Sequence, residues 1–375
     1  MKAPKLTNPF KPTAGMTPPV LIGRESIIDD FIDGLDEGAG APGRLMRITG
    51  PRGSGKTVLL TELSDIAQER GWSVVNASGK ESLCPTIQSQ LARDRKLQSL
   101  DIKLSLPFVS AEATLNRAQQ EATFRDAFAQ ATRALTASGQ GLLIAIDEVQ
   151  DASFDDMVVI ATNVQYMIRE GQDIALLFAG LTTGVLNLLN GEGITFLRRA
   201  KSEELAPIPV DEVASALKET INASGLHVES NALDYVAEAT HGYAYLIQLI
   251  GYYVWREGRR HAAASNVVTL DDAERGIAVA RREFERSVLE AALAGLTKPS
   301  IDYLLAMATS EKASSTAEVA RMLNKSAAVA NTYRRMLIAR QIIESTAPGY
   351  VAFSIPFMRE YLLDNKDEIL SRFGV

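Results

Sequence analysis

The sequence predicts an α/β fold: a parallel sheet covered on both faces, then an all-helical segment and a smaller C-terminal unit. Three observations predict it. Short, nearly continuous apolar runs alternate with helix-forming stretches up to about Val210, as strands buried on both faces require. Strand patterning then gives way to helical spacing. The 375 residues also exceed what one hydrophobic core usually serves.

Taken in order, residues 1–19 carry prolines and read as an extended N-terminal arm. Leu45–Thr49 is a first strand, and Val58–Arg70 is helical in pattern and stopped by Gly71. "WSVVNAS" is a second strand, and a long amphipathic helix is expected over Glu112–Thr136, ending near Gly139. "GLLIAID" is fully apolar before its acid and so reads as central, and "DIALLFAG" is a fourth strand. Beyond Val210, "DEVASALKETINASG", "NALDYVAEATHG", "YAYLIQLIGYYVWREG" and Asp271–Ala291 all have helical spacing. A break at "AGLTKPS" opens the last unit. The expected boundaries are therefore 1–19, 20–210, 211–294 and 295–375.

Bulk properties narrow the function classes. Thirty-nine basic against 46 acidic residues give a net charge of −7, which argues against general coating of nucleic acid but permits a local basic patch. A single cysteine, Cys84, makes no internal disulfide, fits a reducing cytoplasm, and reads as a packed or loop residue rather than a nucleophile. The N-terminus has no apolar signal-peptide core, and no apolar run approaches membrane-spanning length.

Between the first strand and its helix stands "GPRGSGKT", matching G-x-x-x-x-G-K-[ST]. Glycines let successive backbone N–H groups converge on phosphate oxygens, and the helix N-terminus adds partial positive charge. Gly50, Pro51, Arg52, Gly53, Ser54, Gly55, Lys56, Thr57 and Val58 are thus the candidate nucleotide-binding loop. Lys56 supplies a mobile cation for the β- and γ-phosphates of ATP, and the Thr57 hydroxyl is a ligand for Mg²⁺. "LLIAIDEVQD" provides the partner. Asp147 ends the apolar run and is the candidate magnesium acid, and Glu148 can polarise an attacking water. An acid capping a following helix is the plainer use of such a residue, but two adjacent acids after an apolar strand favour hydrolysis.

With these motifs the chain resembles the AAA+ P-loop ATPases, and more narrowly the initiator-type branch of origin-recognition and cell-division-cycle loading ATPases, over roughly residues 18–375. "PPVLIGRESIIDDFIDGL" resembles that family's entry motif, which implies Val20, Leu21 and Ile22 beside the adenine; a hydrophobic staple before a helix is the alternative. The resemblance implies a polar sensor after the fourth strand, for which Thr182 and Thr183 are candidates, with helix capping the other use of either. "ITFLRRAKSEELAPIPVDEV" resembles the arginine-finger segment, implying that Arg198 or Arg199 reaches a neighbouring subunit's nucleotide; a surface pair is the alternative. The family's lid begins G-x-P-R. Here "HGYAYLIQL" keeps Gly242 but has Ala244 and Tyr245 for proline and arginine, which implies slow hydrolysis.

In the last unit, "SSTAEVARMLNKSAAVANTYRRMLIARQIIESTAPGYVAFSI" reads as helix, turn, helix and a strand pair about "TAPG", and resembles the winged-helix module of initiator-type ATPases. Ser326 is the expected N-cap of its second helix. Val329, Tyr333, Met336 and Leu337 are expected to share the inward face, with Asn331, Arg334 and Arg335 outward. Residues 321–340 hold five basic residues and no acid, so Lys325, Asn331, Arg334 and Arg335 are candidate contacts to double-stranded DNA. Two readings stay open. One is an ATP-hydrolysing switch that binds DNA in replication, transposition or mobile-element maintenance and works as a homo-oligomer. The other is a signal-transduction ATPase, held with ADP or ATP, whose winged helix docks a protein effector. Lys80, Arg93, Arg95, Lys96 and Lys103 form a further basic segment that reads as a solvated face or a second DNA contact.

Overall fold

The computed structural model describes residues 6–13, 16, 21–100, 117–262 and 265–373, which divide into two compact units. The first, Gly23–Gly50 with Gly55–Ala206, is built on a five-stranded sheet. Its strands are β1 (Leu45–Thr49), β2 (Ser73–Ser78), β3 (Leu142–Asp147), β4 (Ile174–Gly180) and β5 (Lys201–Glu204). Their order is β2-β3-β4-β1-β5, with every pairing parallel. All of β4 and the five apolar residues of β3 are buried, because helices cover both faces. The third apolar run is therefore interior as expected, with β4 as the middle strand.

Among the described residues, the helices of this unit are α1 (Glu25–Glu37), α2 (Lys56–Glu69), α3 (Leu83–Arg93), α4 (Arg95–Ser99), α5 (Arg117–Ala137), α6 (Phe154–Arg169) and α7 (Thr182–Leu189). The period of two along a strand sorts β3 between them. Leu143 and Ala145 join Ile27 and Phe31 of α1 and Leu59 and Leu63 of α2. Leu142, Ile144 and Ile146 join Ile87 of α3, Phe128 of α5 and Val164 of α6. The expected start of α5, residues 112–116, lies outside the described residues, and its end is followed by Gly139 in the left-handed region (φ 73°). Strand β5 was not anticipated. Its sequence Lys-Ser-Glu-Glu has no apolar residue, because it is an edge strand pairing only with β1 and alternating half-buried with exposed. In the basic segment, the Lys96 ammonium is committed to the carbonyls of Gly71 and Trp72 (2.8 and 2.7 Å), while Lys80, Arg93 and Arg95 are exposed. Lys103 lies outside the described residues. Cys84, in the first turn of α3, is half-buried.

The second unit joins the described part of Met1–Ile22 with Pro51–Ser54 and Pro207–Val375. Its first helices are α8 (Val210–Ala223), α9 (Ser230–Ala239), α10 (Ala244–Arg259) and α11 (Leu270–Phe284). Among the described residues, the expected all-helical segment is interrupted by a two-residue parallel pair of β6 (His227–Val228) and β7 (Val267–Val268). Helix α11 starts at a reciprocal capping box between Thr269 and Asp272 and passes through one π turn, Glu285–Leu289, into α12 (Glu290–Leu293).

There follow α13 (Lys298–Ala308), β8 (Ser314–Ser315), α14 (Thr316–Met322), α15 (Ala327–Ala339), β9 (Ile343–Ala347), β10 (Tyr350–Phe353), α16 (Met358–Asp364) and α17 (Lys366–Phe373). Strands β9 and β10 form the hairpin read from "TAPG", and β8 pairs with the other side of β10. One core runs through Val213, Leu246, Phe284, Leu304 and Leu337, across the boundary drawn from sequence between 294 and 295.

The arm also belongs to this core. Phe10 is 2% exposed and its ring lies where a side chain on Gly251 would have to go, 2.5 Å from that glycine's added Cβ. Asn8 Nδ2 donates to the carbonyl of Tyr252 (3.0 Å), and the Lys11 amide donates to Gln248 Oε1 (3.0 Å). Residues 6–12 have no regular secondary structure, yet these contacts fix them to α10.

Candidate functional site

Because the sheet is parallel, β1 and β3 end at the same edge with β4 between them. That brings the loop after β1 and the acids after β3 together. Helix α2 starts immediately beyond Gly55, whose φ of 94° and the φ of 74° at Gly53 are conformations that a Cβ disfavours. Lys56 is buried, with its ammonium donating to the carbonyl of Gly50 at 2.9 Å. Thr57 Oγ1 donates to Asp147 Oδ2 at 2.5 Å, so two oxygens of the kind that hold magnesium are already paired. Ser54 Oγ is buried with no hydrogen-bond partner among the described residues. A left-handed glycine loop opening a helix, a buried lysine and an unpartnered hydroxyl fit a triphosphate and its Mg²⁺.

Asp147 is half-buried and also accepts the backbone N–H of Glu148 at Oδ1 (2.8 Å). Glu148 is held in the left-handed region (φ 51°, ψ 40°), uncommon for a residue with a side chain and characteristic of functional turns. Gly79, just past β2, makes that turn possible, since a Cβ there would sit 2.2 Å from the Glu148 carbonyl oxygen. The Glu148 carboxylate accepts a hydrogen bond from Gln150 Nε2. Gln150 and Gly79 had not been singled out from the sequence.

The other expected residues fall as follows. Thr182 and Thr183 open α7 at the end of β4, half-buried, but the N-cap position is Leu181 and no side chain caps the helix, so the capping alternative fails. Arg198 and Arg199 are exposed at the end of a 3₁₀ turn, Thr195–Arg199, and Arg198 Nε donates to the carbonyl of Leu189 (2.7 Å). Val20 lies outside the described residues. Leu21 and Ile22 are half-buried, and Ile22 packs against the core of the second unit.

Within the second unit, residues 51–54 meet the start of the helical segment where the family's proline and arginine are missing. The Tyr243 hydroxyl donates to the carbonyl of Arg52, and the Tyr245 amide donates to the carbonyl of Gly53 (3.2 Å). Burial pushes the Tyr243 phenol well above its ordinary pKa, so it remains a donor.

In the C-terminal region, Ser326 caps α15 as expected, accepting from the Val329 amide (3.4 Å). Two expectations about α15 are corrected. Ala330, not Val329, fills the core with Leu337, and Val329 is 39% exposed. Arg334 is half-buried, donating from Nη2 to Ser345 Oγ of β9 at 2.9 Å, because the hairpin folds over that side of the helix. Asn331, Arg335 and Lys325 are exposed.

These loop, strand and acid positions decide the family of the first segment, and a family model described as AAA ATPase domain matches residues 20–166. Residues 20–166 are an AAA ATPase domain. Residues 286–362 match a second model, described only as a domain of unknown function. Comparison with curated proteins finds no match.

Among solved structures, the chain is similar to the ORC2 protein of Aeropyrum pernix in its ADPNP and ADP complexes (TM-score 0.65, 15% identity, 96% of this chain and 97% of that one). It is also similar to a Walker-type ATPase of Pyrococcus abyssi (0.63, 17%, 92% and 96%) and to Cdc6p from Pyrobaculum aerophilum (0.53, 17%, 96% and 98%). At these identities the likeness is one of fold. The AAA ATPase domain is followed by a C-terminal region. Among the described residues, no helix is long and apolar enough to cross a membrane.

Proposed function

We propose that this chain is an ATP-binding and ATP-hydrolysing switch that engages duplex DNA through its C-terminal winged helix, working in replication, transposition or mobile-element maintenance. The observation that carries the reading is the pairing of Thr57 with Asp147 beside Lys56 and Glu148. In this reading Lys56 neutralises the phosphates, and Thr57 and Asp147 hold Mg²⁺, which would offset the charge that builds on the transferred phosphoryl group. Glu148 takes a proton from the attacking water, and Arg198 or Arg199 reaches the nucleotide of a neighbouring copy. The missing lid arginine supports slow turnover. The exposed cations Lys325 and Arg335, with Asn331 between them, support backbone contact to DNA rather than base reading.

The test is ATP turnover with and without duplex DNA. Wild-type turnover should rise with DNA and with protein concentration, while Glu148→Gln should bind ATP and turn none over. Arg335→Ala should lower DNA affinity and reduce the salt slope by about one. Wild-type turnover persisting in Glu148→Gln would remove Glu148 from its role, and a folded chain that ignores nucleotides in magnesium buffer would end the proposal.

One observation favours the second reading, a switch that docks a protein effector. Met322, Val329 and Tyr350 are large apolar residues left 53%, 39% and 47% exposed in the C-terminal region. Turnover indifferent to DNA, from a monomer that retains ADP, would support it.

A further inference from the structure

Gln150 lies in the 3₁₀ turn Val149–Asp151 that follows β3, and both ends of its amide are used. Nε2 donates to Glu148 Oε2, and Oε1 accepts the backbone N–H of Leu181 at 3.0 Å. Leu181 is the N-cap of α7, the residue immediately before Thr182. The backbone is cut away to let this side chain through. A Cβ on Gly180, the last residue of β4, would stand 2.5 Å from Gln150 Oε1, and one on Gly184 would stand 2.3 Å from Gln150 Cβ. An amide pinned at its oxygen by a main-chain N–H has its NH₂ direction fixed, so the carboxylate it meets is fixed as well.

We infer that Gln150 is a positioning residue for the carboxylate of Glu148. It occupies Oε2, leaves Oε1 to accept the proton of the attacking water, and ties that carboxylate to the end of β4 through Leu181. The inference rests on the reading above, in which Glu148 is the base. A base that must lie within hydrogen-bond reach of one water loses rate when its carboxylate is free to rotate, whereas nucleotide binding, which Lys56 and the loop carry, does not depend on that rotation.

The substitution Gln150→Glu separates the donor from everything else Gln150 does. It preserves the length of the side chain, its passage between Gly180 and Gly184, and an oxygen for the Leu181 amide. It replaces only the NH₂ that faces Glu148, and sets a second carboxylate there. Saturated ATP turnover should fall by about 10- to 100-fold, a part of the roughly 100- to 10,000-fold that a general base supplies, with KM changed by less than about 3-fold.

A double variant, Glu148→Gln with Gln150→Glu, exchanges donor and acceptor. Its thermal midpoint should recover above that of Gln150→Glu alone, a coupling that can be read without any turnover. If Gln150→Glu does not fold, Gln150→Met repeats the kinetic test with a neutral side chain of similar length.

Turnover in Gln150→Glu equal to or above wild type, or no coupling in the double variant, overturns the positioning role. Turnover retained in Glu148→Gln, or no turnover in wild type, instead overturns the reading on which it rests; coupling of the melts would then leave only a structural hydrogen bond and no positioning role.

Discussion

Gly53→Ala is the sharpest perturbation of the phosphate loop that the structure allows. The backbone at Gly53 is left-handed (φ 74°), which costs an L-residue about 1–2 kcal/mol. The added Cβ would stand 2.5 Å from Tyr243 Oη and 2.7 Å from the ring carbons Cε1 and Cζ. Tyr243 has little room to yield, being 7% exposed and packed edge-on against Phe284 at 6.0 Å. Overpacking of this kind costs about 1–3 kcal/mol. If the loop must hold its present shape to bind ATP, the two effects together weaken binding roughly 30-fold to a few thousand-fold, at about 1.4 kcal/mol per decade. Titration calorimetry with a non-hydrolysable ATP analogue measures this directly. Adding Tyr243→Ala should remove the overlap and leave only the backbone cost, a loss of about 5- to 30-fold. Adding Tyr243→Phe should not help, because the two ring carbons stay. Binding within about 3-fold of wild type in Gly53→Ala, or rescue by phenylalanine as complete as by alanine, would refute the reasoning.

Three further predictions concern other parts of the chain. Phe10→Ala should cost about 3–5 kcal/mol of arm docking and expose the amides of Phe10 and Lys11, now donating to Asn8 and Gln248, to faster hydrogen exchange. Gly251→Ala should do the same by ejecting the ring. The hydrogen bond from His261 to Asp272 raises the His261 pKa, outweighing the opposing effect of burial. Its contribution to stability is therefore complete below the ordinary histidine value of about 6.5 and is lost as pH rises through the raised folded value. His261→Ala should flatten that part of the wild-type melting profile and leave the rest parallel. Mixing Glu148→Gln with a variant lacking both Arg198 and Arg199 should restore turnover if those arginines act on a neighbour's nucleotide. A mixture as inactive as its parts would place them elsewhere.

The sheet was legible because a strand buried on both faces has to be apolar almost throughout, and β3 up to its acid and β4 are. The same rule hides β5. An edge strand with one neighbour has no reason to be apolar, and Lys201–Glu204 reads as a charged loop. At the site, Lys56, Thr57, Asp147 and Glu148 stood out because their chemistry requires those residue types after an apolar run. Gln150 did not, since its role comes from a tertiary contact with Leu181, 31 positions away, and an amide in a turn is unremarkable until that contact is seen. Helix periodicity located α15 and its inward Tyr333, Met336 and Leu337, but put Val329 inward where Ala330 packs instead. The pattern counts apolar side chains, whereas the packing selects small Ala330 where the helix approaches its neighbours and leaves Val329 to solvent.

The start of the helical segment shows why a departure from a motif is better read by what the new residues touch than by what has been lost. An arginine at this place carries a charge that can meet a phosphate. Tyr243 and Tyr245 carry none, and each directs a donor, one phenolic and one main-chain, at a carbonyl of residues 52 and 53. A neutral donor on a carbonyl responds to the position of that carbonyl, and only weakly to the charge of whatever the loop holds. Removing the Tyr243 hydroxyl alone should therefore loosen the loop toward ATP and ADP by similar factors, whereas removing a phosphate-binding cation would weaken ATP more. Competition of the two nucleotides for Tyr243→Phe measures the ratio directly, and a selective loss of ATP would mean that the phenol reaches the phosphates after all.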